Sequence, residues 1–285
     1  MAKGTIIQLP QWLLSPAGAY LLAWEQRHLD QAVVDLFGFH AVQLGLPELR
    51  ALDANRMPHR WLAVETLPVV AAPAAAKREA GRSAARALVA PSLYCNFDAL
   101  PFDSASLDLV VLPHTLEMAR DPHQTLREVE RVLMPEGRAL IVGFNPASLW
   151  GARQRLGRLR RRVVGGTRDA LFLPAAGEFI GYRRLRDWLR LLSFEVEAGR
   201  FGCYIPPLGS ARWLERFGWM ERAGDRWWPV FGALYYIVAV KRVHGMRLVG
   251  LARNEPRTQG VKVPAPVAAT RRTSELDMEC EGSDR

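Results

Sequence analysis

Cysteine is scarce in this 285-residue chain: Cys95, Cys203 and Cys280 stand far apart. No two of them have the short spacing of a zinc ligand set, and three scattered thiols make no disulfide framework. A reducing cytoplasm is the simplest setting for such a chain, and no metal centre is expected. Long apolar runs are lacking as well. The longest, Pro229–Val240, falls well short of the roughly 20 residues that span a bilayer, and reads as a core strand. The N-terminus has one early lysine but no apolar stretch followed by a small-residue cleavage site, so no signal peptide is read. Acidic residues are outnumbered, 29 Asp+Glu against 38 Lys+Arg, for a formal charge of +9. That surplus favours anionic surfaces without specifying nucleic acid.

What is present suits one large α/β domain with additions, or two small ones, and the 49% apolar content is ample for a core. Ser15-Pro16 signals a helix start, and apolar residues then recur at Tyr20/Leu21, Trp24, Ala32/Val33 and Leu36/Phe37 until Gly38. Strands are expected over His40–Gly45, Trp61–Glu65, Leu93–Cys95, Leu107–Leu112 and Ala139–Phe144. Short helices are expected over Glu48–Asn55 and Ala74–Leu88. Asp121-Pro122 opens a further helix, with Gln124 placed as in a capping box, and Pro135-Glu136-Gly137 turns the chain into the fifth strand. Farther on, a helix within Gly181–Ser193 precedes strands over Phe194–Ala198 and Ala233–Lys241. Alternating strands and helices of this kind build a mostly parallel sheet covered on both faces.

The stretch from Asn96 to Gly143 is the most specific. Leu100-Pro101-Phe102-Asp103, then Leu107-Asp108-Leu109-Val110, then Pro113-His114-Thr115-Leu116-Glu117, then Arg127-Glu128, Arg131-Val132-Leu133 and Pro135-Glu136-Gly137 follow one another in a fixed order. This order resembles the second half of a class I S-adenosylmethionine-dependent methyltransferase of the type 11 kind. The resemblance is loose over His40 to Val240 and close from Asn96 to Phe144. It implies a Rossmann-like, doubly wound, mostly parallel seven-stranded α/β sheet with helices on both faces. It also implies S-adenosylmethionine as cofactor, methyl transfer as reaction and a small molecule, with anionic ones among the candidates, as acceptor. Asp108 and the Arg127–Gly137 block are structural in that pattern.

In such a fold the cofactor lies at the carboxyl ends of the strands, where the first strand–helix turn must let the backbone come close. The family's acidic, glycine-rich loop corresponds here to Gln43-Leu44-Gly45-Leu46-Pro47-Glu48-Leu49, which keeps only Gly45. Glu65 stands twenty residues later, about where an acid holds ribose hydroxyls in dinucleotide folds. The resemblance implies cofactor contacts from Gly45, Leu46, Glu65, Asn96, Phe97 and Pro113. Asn96 replaces the family's Asp, and its carbonyl still offers an acceptor for the adenine amine. Glu65 alternatively is a solvated strand end, and Asn96 simple turn chemistry. His114, in the loop that faces cofactor and substrate in the family, is the candidate general base; the plainer reading is a helix-start histidine bonded to a neighbour.

Three segments flank this core. Residues 1–38 form an N-terminal helical segment, 39–243 the methyltransferase-like domain, and 254–285 a polar tail expected to be disordered. Within the domain, 145–180 is a basic insertion with seven arginines from Arg153 to Arg168 and no acid among them. Leu156, Leu159 and Val163 recur there at helical spacing. It reads as a substrate lid, as a basic helix at an anionic membrane surface, as a nucleic-acid contact, or as a solvated helix packed through Leu156 and Leu159. Nucleic acid is the least supported, because no aromatic residues interleave the arginines. Trp213, Trp219, Trp227 and Trp228 are expected in the core or at an interface. An alternative to the enzyme is an inactive binding module of the same fold, in which Leu46, Pro47 and Leu49 fill the cofactor cleft.

Overall fold

The computed structural model describes residues 9–65, 91–164, 173, 179–207 and 211–243. The helix expected over Ala74–Leu88 and the tail lie outside these residues.

The chain opens with α1 (Leu9–Leu13) and α2 (Pro16–Val33). Ser15 caps α2, its hydroxyl accepting from the amide of Gly18 at 3.1 Å, and Pro16 occupies the first turn. The helix stops at Val33 rather than near Gly38. Asn55 explains this, since its side-chain amide takes the carbonyls of Val33 and Leu36 (2.8 and 3.1 Å) and anchors the chain as it leaves the helix. Phe37 is consequently exposed.

Strands β1 (His40–Leu44), β2 (His59–Val64), β3 (Leu93–Tyr94), β4 (Leu107–Pro113), β5 (Leu133–Phe144), β6 (Phe194–Gly202) and β7 (Leu234–Lys241) form one sheet. Its order is β3-β2-β1-β4-β5-β7-β6. All pairings from β3 to β5 are parallel, and β7 runs antiparallel to both β5 and β6. The order reverses between β1 and β4, which opens the switch-point crevice at their carboxyl ends. Asp108 fixes the opposite edge, its carboxylate accepting from the amides of Phe39 and His40 at 2.8 and 2.9 Å.

Alternation along the strands sends side chains to two cores. Ala41, Leu109, Val111, Leu140 and Val142 pack under α1 and α2. Val42, Leu44, Val110, Leu112 and Ile141 pack under α4 (Pro122–Val132) and α6 (Tyr182–Leu191). Asp121 caps α4 by accepting from His123 and Gln124 amides, but the Gln124 side chain reaches the carbonyl of Asp98 (3.5 Å) instead of closing a capping box. Glu128 and Arg131 hold the Leu100–Phe102 loop: Glu128 accepts from the Leu100 amide, and Arg131 donates to the Leu100 and Phe102 carbonyls.

Two local expectations fail for identifiable reasons. Residues 48–55 are turns, not a helix. Gln26 of α2 bonds both the amide and the carbonyl of Arg50, and the same carbonyl accepts from the Asp53 amide (3.3 Å), so the segment is held as i to i+3 turns against α2. Pro135-Glu136-Gly137 lies within β5 as a register shift opposite Leu107–Leu109, with Glu136 at φ +66°.

Candidate functional site

Strand β1 delivers Gln43 to the carboxyl edge of the sheet, where it is buried. Its amide nitrogen donates toward the carbonyls of Gly45 (3.0 Å), Leu46 (2.9 Å) and Leu49 (2.9 Å), and its oxygen accepts from the Ala51 amide (3.1 Å). One neutral side chain therefore closes residues 45–51 on itself. The substitution that looked like a lost acid is the organiser of this loop. Gly45 has φ +81°, a conformation that glycine adopts without steric cost. Leu46 follows at φ +47°. It and Leu49 are buried in the core that also holds the apolar residues of α1 and α2. They pack on that face of the sheet rather than around Phe97, which belongs to the other core.

The flank of Gly45 looks toward Phe97 and Thr115, each 3.7 Å from where a Cβ would stand. The Thr115 hydroxyl donates to the carbonyl of Leu44 and so joins the ends of β1 and β4. Glu65 lies just past β2 and is exposed. The Gly45 amide donates to the Ala63 carbonyl (2.7 Å), which sets Gly45 and Glu65 on neighbouring strand ends. Glu65 accepts from the Phe97 amide at 3.4 Å. Asn96 is exposed, and its carbonyl oxygen accepts from the Asp98 amide (2.9 Å) in a local turn, so one of its lone pairs is already engaged.

His114, immediately after Pro113, has φ +56° and is only 1% exposed. Its Nε2 lies 2.7 Å from Glu25 of α2, and its Nδ1 lies 2.8 Å from Glu117 of the short helix α3 (Thr115–Met118). Burial alone would lower the imidazole pKa, but the Glu25 and Glu117 carboxylates outweigh it and push the value up to about 10. The ring is therefore a doubly bonded imidazolium at neutral pH, with no lone pair to take a proton from an acceptor. It couples α2 to the end of β4, which is a positioning role rather than a general base. Glu117 also accepts from the Phe144 amide (2.6 Å), so the trio reaches β5. Burial raises the Glu117 carboxyl while its bonds to His114 and Phe144 pull it back. Gly143 is needed beside it, because a Cβ there would meet the Tyr235 hydroxyl at 2.7 Å and Glu117 at 3.2 Å.

Glu25 was missed by sequence reasoning, although the signal was there. It sits in the buried stripe of α2, four residues from both Leu21 and Leu29, where an acid needs a partner. Among the expected contacts, the structure brings Gly45, Glu65 and Phe97 together, with Asn96 beside them. Leu46 is buried in the core, and His114 is buried between Glu25 and Glu117. A separate cavity of about 270 Å³, lined by Trp24, His28, Arg200, Tyr204 and Glu221 among others, contains none of these expected residues. Among the described residues no cluster of His, Cys, Asp and Glu is suited to a metal ion.

Residues 49–141 match a family model described as a methyltransferase domain. The uncharacterized protein YafS of Escherichia coli (strain K12) is 36% identical over 161 residues, which are 55% of this chain and 59% of YafS. The chain thus matches less than two thirds of that relative's length. Among solved structures, a chain from the complex of the Haloferax volcanii Trm112 methyltransferase activator with its methyltransferase companion is similar at a TM-score of 0.51. It is 18% identical, with 83% of this chain and 97% of that one covered. An S-adenosylmethionine-dependent methyltransferase from Mesorhizobium loti is matched at a TM-score of 0.46 and 16% identity, over 76% of this chain and 97% of that one.

Proposed function

We propose, from the premise that this chain is a class I methyltransferase-fold protein carrying a type 11 methyltransferase domain, that it transfers a methyl group from S-adenosylmethionine to a small-molecule acceptor. The observation that carries this reading is the convergence of Gly45, Glu65, Asn96 and Phe97 at the carboxyl ends of β1, β2 and β3, on the β1 side of the switch point. These residues fit the nucleoside part of the cofactor. Gly45 leaves the edge of the loop free of a side chain, and exposed Glu65 presents a carboxylate to ribose hydroxyls. Asn96 and the Phe97 ring flank the position of a base. Leu46 and Leu49 do not oppose this, since both are withdrawn into the core behind the loop.

The bound sulfonium supplies an already electrophilic methyl group. What the chain must contribute is placement, holding cofactor and acceptor at near-attack distance. The Glu25–His114–Glu117 trio fixes α2 and the β4 loop to that end. With His114 engaged on both nitrogens, an acceptor is methylated at an atom that is already a nucleophile, such as an anion or a free amine.

Calorimetric titration with S-adenosylmethionine and S-adenosylhomocysteine tests the reading. Micromolar binding is expected, falling at least about tenfold in Glu65→Ala, the size of one lost charged hydrogen bond pair. Absence of binding at millimolar ligand would retire the proposal, and unchanged affinity in Glu65→Ala would remove the ribose assignment alone.

A further inference from the structure

The insertion after β5 is helix α5 (Leu149–Val164), and it does not pack as its leucine spacing suggests. Its inner face is set by Trp150, Gly151 and Gln154, all buried. The Trp150 indole donates to the Ile205 carbonyl (2.6 Å), and Gln154 exchanges two hydrogen bonds with the backbone of Leu173 (3.1 and 3.0 Å). Leu156 and Leu159, expected to hold the helix down, are 59% and 57% exposed, and Leu149 is 54% exposed. At 100° per residue these leucines and exposed Ala152 form one stripe on the side opposite Trp150 and Gln154. The helix therefore has two apolar faces, one buried in the domain and one turned to solvent.

The outer stripe is bordered by exposed Arg153 and Arg155, with Arg158 farther round, and the sequence adds Arg160, Arg161 and Arg162 to the same helix without a single acid. The stripe forms a rim whose first residue, Leu149, stands five residues after the end of β5. Asn145, four residues earlier, donates to the carbonyls of Val230 (2.7 Å) and Gly232 (2.9 Å). That holds the segment Trp228–Phe231, with Trp228, Val230 and Phe231 all more than half exposed, at the same end of β5. Trp213, Trp219, Trp227 and Trp228, expected in the core or at an interface, are all at least half exposed and so lie outside the core.

We infer that this rim is a docking surface for an anionic lipid bilayer, with the leucine stripe of α5 entering the headgroup boundary and its arginines meeting lipid phosphates. The charge decides between occupants. A second copy of the same helix would set arginine against arginine along both borders, with no acid to relieve it. An anionic bilayer instead supplies the apolar layer for the leucines, the counter-charge for the arginines and the interface that exposed tryptophan prefers. Among the described residues no helix is long and apolar enough to cross a membrane, so the contact lies on the surface. The inference concerns a surface outside the Gly45–Glu65 site, so it stands or falls separately from methyl transfer.

The test is sedimentation of the full chain with vesicles of pure phosphatidylcholine and with vesicles of phosphatidylcholine mixed equally with phosphatidylglycerol. Binding to the mixed vesicles only is expected, weakening steeply with added salt. Arg155→Gln should lower the partition coefficient about fivefold. Leu156→Glu/Leu159→Glu should abolish binding while leaving the thermal melt and cofactor titration unchanged, because both leucines are exposed. Equal binding to neutral vesicles, no binding to the mixed ones, or full retention by the leucine variant overturns the inference. So does a concentration-dependent dimer that the leucine variant dissolves, which would assign the stripe to a second copy. Should the leucine variant melt early, the salt series on the unaltered chain decides instead: salt-insensitive binding overturns the lipid assignment.

Discussion

The loops after β1 and β4 solve one structural problem in opposite ways. Each must turn sharply at the carboxyl edge, each contains non-glycine backbone at positive φ (Leu46 and His114), and each is held by one buried polar side chain. Gln43 does this as a neutral amide bonded only to backbone. His114 does it as a cation between two carboxylates. The first hub is insensitive to protons and leaves nothing charged when removed. The second is stronger in its Coulomb attraction, costly in desolvation, and unable to lose one member without stranding the others.

The largest effect expected from this difference is that of His114→Leu. Two buried carboxylates are left without their cation, at a cost of about 3–5 kcal/mol. For a unit of this size that lowers the melting temperature by roughly 10 °C. Adding Glu25→Gln and Glu117→Gln to the same variant should restore part of the loss, since neutral amides need no counter-charge. A urea melt in which His114→Leu is harmless would show that the trio contributes nothing to the fold.

The proton dependence follows from the same trio. His114 moves from its ordinary 6.5 in the unfolded chain to about 10 in the folded one. Its stabilisation is complete below 6.5 and is lost as pH rises through 10, because in that window the folded chain holds a proton that the unfolded chain has released. Stability should therefore fall by about 1 kcal/mol per pH unit across the middle of the window, and the slope should flatten in Glu25→Gln. A flat alkaline profile for the unaltered chain would mean that the ring is neutral in the fold.

Gln43→Met sharpens the contrast from the other side. The variant keeps the volume but leaves the Leu46 and Leu49 carbonyls and the Ala51 amide without the partner they had, at about 2 kcal/mol. Its deficit should be the same at every pH between the two His114 values, where the His114→Leu deficit shrinks as pH rises. Parallel pH profiles for the two variants would erase the distinction between the hubs.

These hubs also mark where the sequence could be read and where it could not. The β4 strand and the Asp121 cap were legible because each is a local pattern with a local cause. The mostly parallel sheet was read from the alternation of strands and helices and from the family resemblance, and the structural place of Glu128 and Arg131 from the resemblance. The turns over residues 48–55, where a helix is expected, were not legible, because residues distant in sequence shape them: Gln26 anchors Arg50 and Gln43 takes the Ala51 amide. Gln43 read as an erosion of the family's acid because its work is visible only once the loop is folded around it. His114 was found by residue type and position, but its role depends on Glu25, 89 residues away in sequence. Leu156 and Leu159 had helical spacing, and spacing alone does not say which side of a two-faced helix meets the domain.

The smallest expected effect is at Gly45, and it separates backbone from side-chain requirements in the cofactor loop. A Cβ there would find ordinary contact distances to Phe97 and Thr115, so Gly45→Ala creates no clash. What remains is the strain of an L-residue at φ +81°, about 1 kcal/mol. Because Gln43 bonds the Gly45 carbonyl rather than its side chain, the loop should keep its shape, and the cost should appear in stability at all pH values alike. Cofactor affinity is the discriminating readout. If the glycine serves only the turn, Gly45→Ala loses stability and binds S-adenosylhomocysteine as before. If the bare edge is where the ligand lies, affinity falls well beyond what the melt accounts for, and the loop that kept a single glycine is the one that receives the cofactor.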